Sequence, residues 1–328
     1  MRNFSYVRAS SRADAIALGR VEEAQFIAGA TELLNWARIG IVQPRRVIDI
    51  TRIPDLDTIE SLPTGGVRIG ALCKLNDTAQ HPLIRERYPV LSQATLKSAS
   101  AQLRNLATIG GNPLQRTRCP YFRSEEPTPC NKRVPRSGCA AFHGLNEKHA
   151  IFGWTEDCVA VQPSDPSVAL AALDAVIVTE DGQGGRRIPA RSFHVLPSED
   201  PALHNVLRPG ELIVAIELGA PAPHSAYLKI RERESYEFAT VSAAVVLDMD
   251  GETIRSARIA LGSVAMRPWR LEETERRLAG MRIDSPDVAS AVAAGFAQAR
   301  PLSSNAYKIV LARNAVIRTL ELAAGAKV

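Results

Sequence analysis

Four of the chain's five cysteines, Cys119, Cys130, Cys139 and Cys158, crowd into one stretch. Thiols at that density pair as disulfides, take a metal, or have to be kept apart by the fold. The stretch follows directly on Thr108–Ile109–Gly110–Gly111–Asn112–Pro113. Its paired glycines let backbone sit against a ligand where a Cβ would clash, and Thr108 and Asn112 add polar groups. A ligand cradle and a candidate metal loop therefore share one segment. Cys73 stands apart in the apolar run from Ile69 and reads as a small buried hydrophobe.

The spacing is Cys119-x10-Cys130-x8-Cys139-x18-Cys158, with no CxxC pair. Structural zinc normally brings at least one close pair. An iron–sulfur cluster needs four thiolates and tolerates varied spacing. His143 and His149 lie in the same stretch and are able to replace a thiol in a zinc site. Arg116, Arg118, Arg123, Lys132, Arg133 and Arg136 are expected to stabilise thiolates and a net-negative cluster. Spacing favours iron–sulfur over zinc and leaves both open.

At 328 residues the chain is long enough for two or three modest domains. Its net charge of +5 is spread out, with no basic run of the kind that tracks nucleic acid. No apolar run approaches the ~20 residues that span a bilayer, so membrane insertion is not expected. The segment from Met1 to Val7 does not read as an export signal. A chain of this kind would reach the periplasm only by co-export with a signal-bearing partner, and would otherwise stay in the cytoplasm.

Residues 1–55 read as a small α/β unit: a helix at 11–19, a strand at 24–28, a glycine turn at 29–32, a helix at 33–38 and a strand at 47–50. Strand, glycine turn and helix N-terminus offer free N–H groups to a phosphate. Residues 56–220 carry strands at 67–71, 175–179 and 212–218 and a helix at 167–174. A further helix is expected over 89–103, with Leu91, Ala94, Leu96 and Ala99 on one side. The cysteine loop, at about 113–160, interrupts this unit. After a Pro- and Ala-rich linker, residues 221–328 read as a three-stranded antiparallel sheet (226–232, 240–249, 253–262). Helices near 269–279, 286–299 and 304–324 follow, an α+β order.

Alone, the turn at Gly29 is an ordinary strand-to-helix turn, neither GxGxxG nor a P-loop. With the turn at Gly110–Gly111 it suits an extended phosphate-bearing cofactor held from two sides. Beside a metal cluster, that cofactor is more naturally a flavin than a nicotinamide, because a flavin exchanges electrons singly or in pairs. A non-redox, zinc-stabilised nucleotide-binding module is the rival reading.

Three segments make the resemblance specific: Phe26 to Leu34, Leu106 to Gln115, and Pro163 to Asp174. They resemble the flavin-binding subunit of molybdenum hydroxylases, over essentially the whole chain. The cysteine loop, at 115–123 and 130–141, is similar to that of the [4Fe–4S]-carrying flavin subunit of bacterial periplasmic-type aldehyde oxidoreductases. A related insertion occurs in 4-hydroxybenzoyl-CoA reductase. The resemblance implies an α+β fold with a two-part FAD-binding domain and a C-terminal domain like that of the carbon monoxide dehydrogenase flavoprotein. It implies FAD held by Phe26, Ile27, Ala28, Gly29, Ala30, Thr31, Glu32 and Leu33, and by Thr108, Gly110, Gly111 and Asn112. Asp165 would hydrogen-bond the cofactor, Val214 would line the flavin, and Lys229 and Glu237 would lie near the isoalloxazine. Ala30 stands where many relatives have a second glycine, a departure the clasp tolerates if φ stays negative there. Cys119, Cys130, Cys139 and Cys158 would ligate a [4Fe–4S] cluster. The implied partners are a [2Fe–2S] small subunit, a molybdopterin large subunit where substrate is oxidised, and an external electron acceptor.

Overall fold

The structure, a computed structural model, describes residues 1–326. Its first sheet is parallel, with strands β1 (Ser5–Arg8), β2 (Ala24–Ile27) and β3 (Arg46–Asp49) in the order β1-β3-β2. Helices α1 (Arg12–Gly19) and α2 (Leu33–Arg38) provide the crossovers. Ser11 caps α1 by accepting from the Asp14 N–H. The core beneath this sheet is not private. Ile48 and Leu56 pack with Leu72, Leu212 and Val214 from further along the chain.

The next unit begins with β4 (Ile59–Ser61) and β5 (Val67–Gly70). The helices α3 (Leu75–Gln80), α4 (Pro82–Arg87), α5 (Pro89–Lys97) and α6 (Ala101–Arg104) follow. Within the cysteine loop lie the single turns α7 (Pro120–Arg123) and α8 (Ala140–His143). Then come α9 (Asp165–Ala172), β6 (Val176–Glu180), β7 (Arg187–Pro189) and β8 (Leu212–Leu218). These strands make an antiparallel sheet in the order β4-β5-β8-β6-β7. Helix α9 is buried along its whole length and packs on α5 and on the C-terminal sheet.

The C-terminal unit has β9 (Ser225–Ile230), β10 (Val241–Asp250), β11 (Thr253–Gly262) and β12 (Trp269–Arg270), then α10 (Glu272–Leu278), α11 (Val288–Ala294) and α12 (Tyr307–Ala323). Its sheet is antiparallel in the order β12-β11-β10-β9. The expectation of three strands is therefore corrected to four. The added strand has two residues, too few to show an alternation, and falls where the sequence suggested the start of a helix.

The expected helix over 89–103 is also corrected. It breaks after Lys97, where Ala99 takes φ +46, and resumes at Ala101 with Ser100 as its cap. Leu91 and Ala94 are buried as expected, but Leu96 is exposed.

Candidate functional site

The strand β2 runs straight into the turn at Gly29, and α2 starts at Leu33, so the turn is held by a strand on one side and a helix on the other. The second turn is braced from behind. Leu75 N donates to Ala107 O, Ile109 N to Cys73 O and Gly110 N to Ala71 O. The two turns then meet at close quarters: a Cβ on Gly29 would lie 2.1 Å from Leu106 O. Gly29 is small so that the two chains can touch.

Between them opens a cavity of about 620 Å³, the size range of small-molecule and cofactor sites. Phe26 through Leu33, Thr108, Gly111, Asn112 and Asp165 all line it, as does Glu237. The structure thus brings together most of the residues expected to hold the cofactor. Gly110 lies behind the lining, where a Cβ would strike Ala71 at 2.6 Å. Val214 is a correction: it sits in the core shared with the first sheet, because β8 is the central strand of its own sheet.

Lys229 is placed behind the lining too. Its buried ammonium donates to Asp165 Oδ2 at 2.8 Å and to Lys97 O at 3.1 Å. Tyr227 Oη donates to the other Asp165 oxygen. Burial pushes the Asp165 carboxyl upward, and Lys229 and Tyr227 pull it back. Lys229 and Glu237 do not pair with each other. The Glu237 carboxylate accepts the backbone N–H groups of Glu232 and Arg233.

Ala30 adopts φ +60, contrary to the negative value its tolerance was expected to need. The turn enforces a left-handed backbone there, a conformation that costs alanine about 1–2 kcal/mol.

Residues missed in the sequence also line the cavity. Ser98 and Ala99 reach it through the break between α5 and α6, and Arg118 and Arg123 reach it from the cysteine loop. Glu32, the residue before α2, makes no capping hydrogen bond of its own helix and instead pairs with both arginines. Arg118 also stacks over Phe238 at 4.5 Å. These two arginines were expected to serve the thiols and line the larger cavity instead. Arg116 lies over Trp36 at 4.6 Å, and burial lowers its pKa to about 10. Arg133 caps the carbonyls of Phe122 and Ser124. Lys132 is the basic residue whose charge reaches Cys130 and Cys158.

All four loop cysteines border one second, small cavity. Cys130 and Cys139 face each other across an antiparallel bridge, closed by Asn131 N to Gly138 O at 2.9 Å. Asn131 Nδ2 ties this hairpin to Asp157 O, next to Cys158. Cys119 precedes α7. Burial pushes its thiol up to about 12, while the N–H groups of Phe122 and Tyr121 face the sulfur and oppose that shift. Burial likewise raises Cys158 to about 11, opposed by Lys132 and the Ala160 N–H. Cys130 faces the N–H groups of Lys132 and Arg133. His143 is exposed and packs on Phe142, away from the thiols. His149 is buried, with Nε2 3.3 Å from Cys119 Sγ. Burial lowers its pKa to about 4, with the nearby Lys308 charge acting the same way. Among the described residues, no three His, Cys, Asp or Glu side chains converge at single-ion distances.

Fold and cavity together define an α+β protein with a cofactor-sized cavity between two glycine turns. Residues 2–221 match the FAD binding domain in molybdopterin dehydrogenase, and residues 226–323 match the CO dehydrogenase flavoprotein C-terminal domain. The chain belongs to the FAD-binding subunits of the molybdenum hydroxylase family, and is an oxidoreductase subunit. It is 43% identical to the aldehyde oxidoreductase FAD-binding subunit PaoB of Escherichia coli, over 98% of both chains. It is 30% identical to the carbon monoxide dehydrogenase medium chain of Hydrogenophaga pseudoflava, over 98% of this chain and 96% of that one. A solved CO dehydrogenase from Oligotropha carboxidovorans superposes with a TM-score of 0.76 at 26% identity, covering 98% of each chain. The rival reading of a non-redox nucleotide-binding module is overturned by this membership. Among the described residues no helix is long and apolar enough to cross a membrane.

Proposed function

We propose that this chain is the electron-transfer subunit of a molybdenum-dependent aldehyde oxidoreductase, binding FAD in the larger cavity and a [4Fe–4S] cluster at the four cysteines. On this reading it works beside a small [2Fe–2S] subunit and a large molybdopterin subunit that oxidises the aldehyde, and delivers electrons to an external acceptor. The 43% identity to an aldehyde oxidoreductase subunit favours aldehyde over carbon monoxide or a benzoyl-CoA-type substrate.

The FAD site fits its ligand in shape and charge. Arg118 and Arg123 share one carboxylate, Glu32, leaving a positive excess beside the cavity for a pyrophosphate. Bound there, FAD supplies exchange of one or two electrons. The residues of this chain orient it, exclude water with Phe238 and Tyr236, and place Asp165 with its buried Lys229 at the cavity wall.

The observation that carries the cluster reading is the set of four thiols around one small cavity, with backbone N–H groups aimed at the sulfurs of Cys119, Cys130 and Cys158. Such donors stabilise a sulfur that carries negative charge, and metal binding is what removes the proton from a buried thiol. A four-iron cube is wider than a single ion, so its ligands stand further apart than those of zinc. A [4Fe–4S] cluster supplies single-electron exchange. In a Cys130→Ser variant, iron should fall to a small fraction of wild type while most flavin is kept. Unchanged iron content would show the ligand assignment to be wrong.

A further inference from the structure

His149 has no role in the reading above, yet its environment is specific. It is 5% exposed, and its Nε2 is 3.3 Å from Cys119 Sγ. The backbone on either side of the ring is pinned. His149 N donates to Asn146 O, and His149 O accepts from Asn305 Nδ2 at 3.2 Å and Lys308 Nζ at 2.8 Å. Lys308 is itself fully buried in α12 and also donates to Lys148 O and Ser263 O. The C-terminal domain therefore fixes an imidazole edge-on to one thiol of the loop.

A sulfur that ligates a cluster has no proton to give. A bare Nε2 lone pair 3.3 Å from it would face the sulfur's own lone pairs, whereas an Nε2–H there donates to it. Resting on the cluster reading, we propose that His149 donates an Nε2–H hydrogen bond to the Cys119 sulfur and thereby sets the reduction potential of the cluster. Reduction adds negative charge to the cluster and its sulfurs. A donor at one sulfur strengthens as that charge grows, so it favours the reduced form and raises the potential. His149 is in this sense a tuning residue, positioned by Lys308 and Asn305, and distinct from the ligands.

The test compares wild type, His149→Phe and His149→Gln as purified complexes. Iron and flavin are quantified, and the cluster is titrated potentiometrically with detection by electron paramagnetic resonance. Iron should be equal in all three. His149→Phe keeps a ring of similar size but removes the donor, and should be about tenfold less reduced at a fixed potential, a shift of about 59 mV for a one-electron couple. His149→Gln retains an N–H and should fall between. Equal midpoints in wild type and His149→Phe would overturn the proposal. Loss of iron from either variant would make His149 part of what holds the cluster, and would overturn it as well. Absence of iron from the wild type would sink the cluster reading, and this inference with it.

Discussion

A single methyl group decides whether the two glycine turns can meet. At Gly29 the added carbon would lie 2.1 Å from a carbonyl oxygen and 3.0 Å from Ala107 Cα, neither of which can yield without moving the second turn. Gly29→Ala should therefore abolish flavin retention, measured as the 450 nm band per protein (an order-of-magnitude loss of affinity). Ala30→Gly should act the other way. It relieves a left-handed alanine, so the folded protein should gain about 1 kcal/mol with flavin retained, read from its melting temperature. The glycine pattern was legible in the sequence, but its cause was only half legible. Gly29 was read as a turn that offers N–H groups to a phosphate, whereas a Cβ there would strike the chain's own backbone. The positive φ of Ala30 had one signal, the glycine that many relatives have there, and it was read past because alanine itself does not announce a left-handed conformation.

Elements were read well where their apolar runs were long and poorly where a short break mattered. β10 has a run of seven buried residues and β11 ends on four, and both strands appear where expected. The interruption at Ser98–Ala99 was hidden inside an apparently continuous helix, although Ser100, a good cap, marked the restart. That interruption brings Ser98 and Ala99 to the cavity and leaves Lys97 O free to accept from Lys229. The role of Lys229 was equally obscure, since a strand lysine is ordinarily a solvent-facing residue. Replacing it with methionine leaves the Asp165 carboxyl buried without its cation, and should destabilise the protein by about 3–5 kcal/mol in chemical unfolding. The edge strand β1 is held by another carboxylate. Asp49 accepts from Tyr6 and Arg8 on β1 and from Thr51 beyond β3. Burial works to raise its pKa, but the hydrogen bonds of Thr51, Tyr6 and Arg8 outweigh burial and lower it. An Asp with a depressed folded pKa contributes stability that is complete above its unfolded value of about 3.9 and is lost as pH falls below it. Thermal unfolding followed from pH 5 down to pH 2 should show wild type losing more stability than Asp49→Asn. Equal acid sensitivity would remove Asp49 from this role.

Across the molecule, the cysteine loop touches both the larger cavity and the C-terminal domain. Toward the cofactor cavity, its Arg118 and Arg123 close on Glu32. Toward the C-terminal domain, Ile151 and Phe152 pair with Val264, Gln162 pairs with Ala265, and Cys119 and Cys158 pack with Met266 and Leu302. The four thiols were visible in the sequence because they are crowded in one stretch. The partners of the loop were not visible, because they come from far along the chain and only the fold brings them together. On the proposed reading one chain carries both a flavin and an iron–sulfur cluster. The most direct measurement is the absorption spectrum and metal content of the wild-type protein, purified without oxygen from iron-replete cells. The protein should show flavin bands with a broad iron–sulfur shoulder, one FAD and about four irons per chain. A colourless protein holding one zinc and no flavin would contradict it.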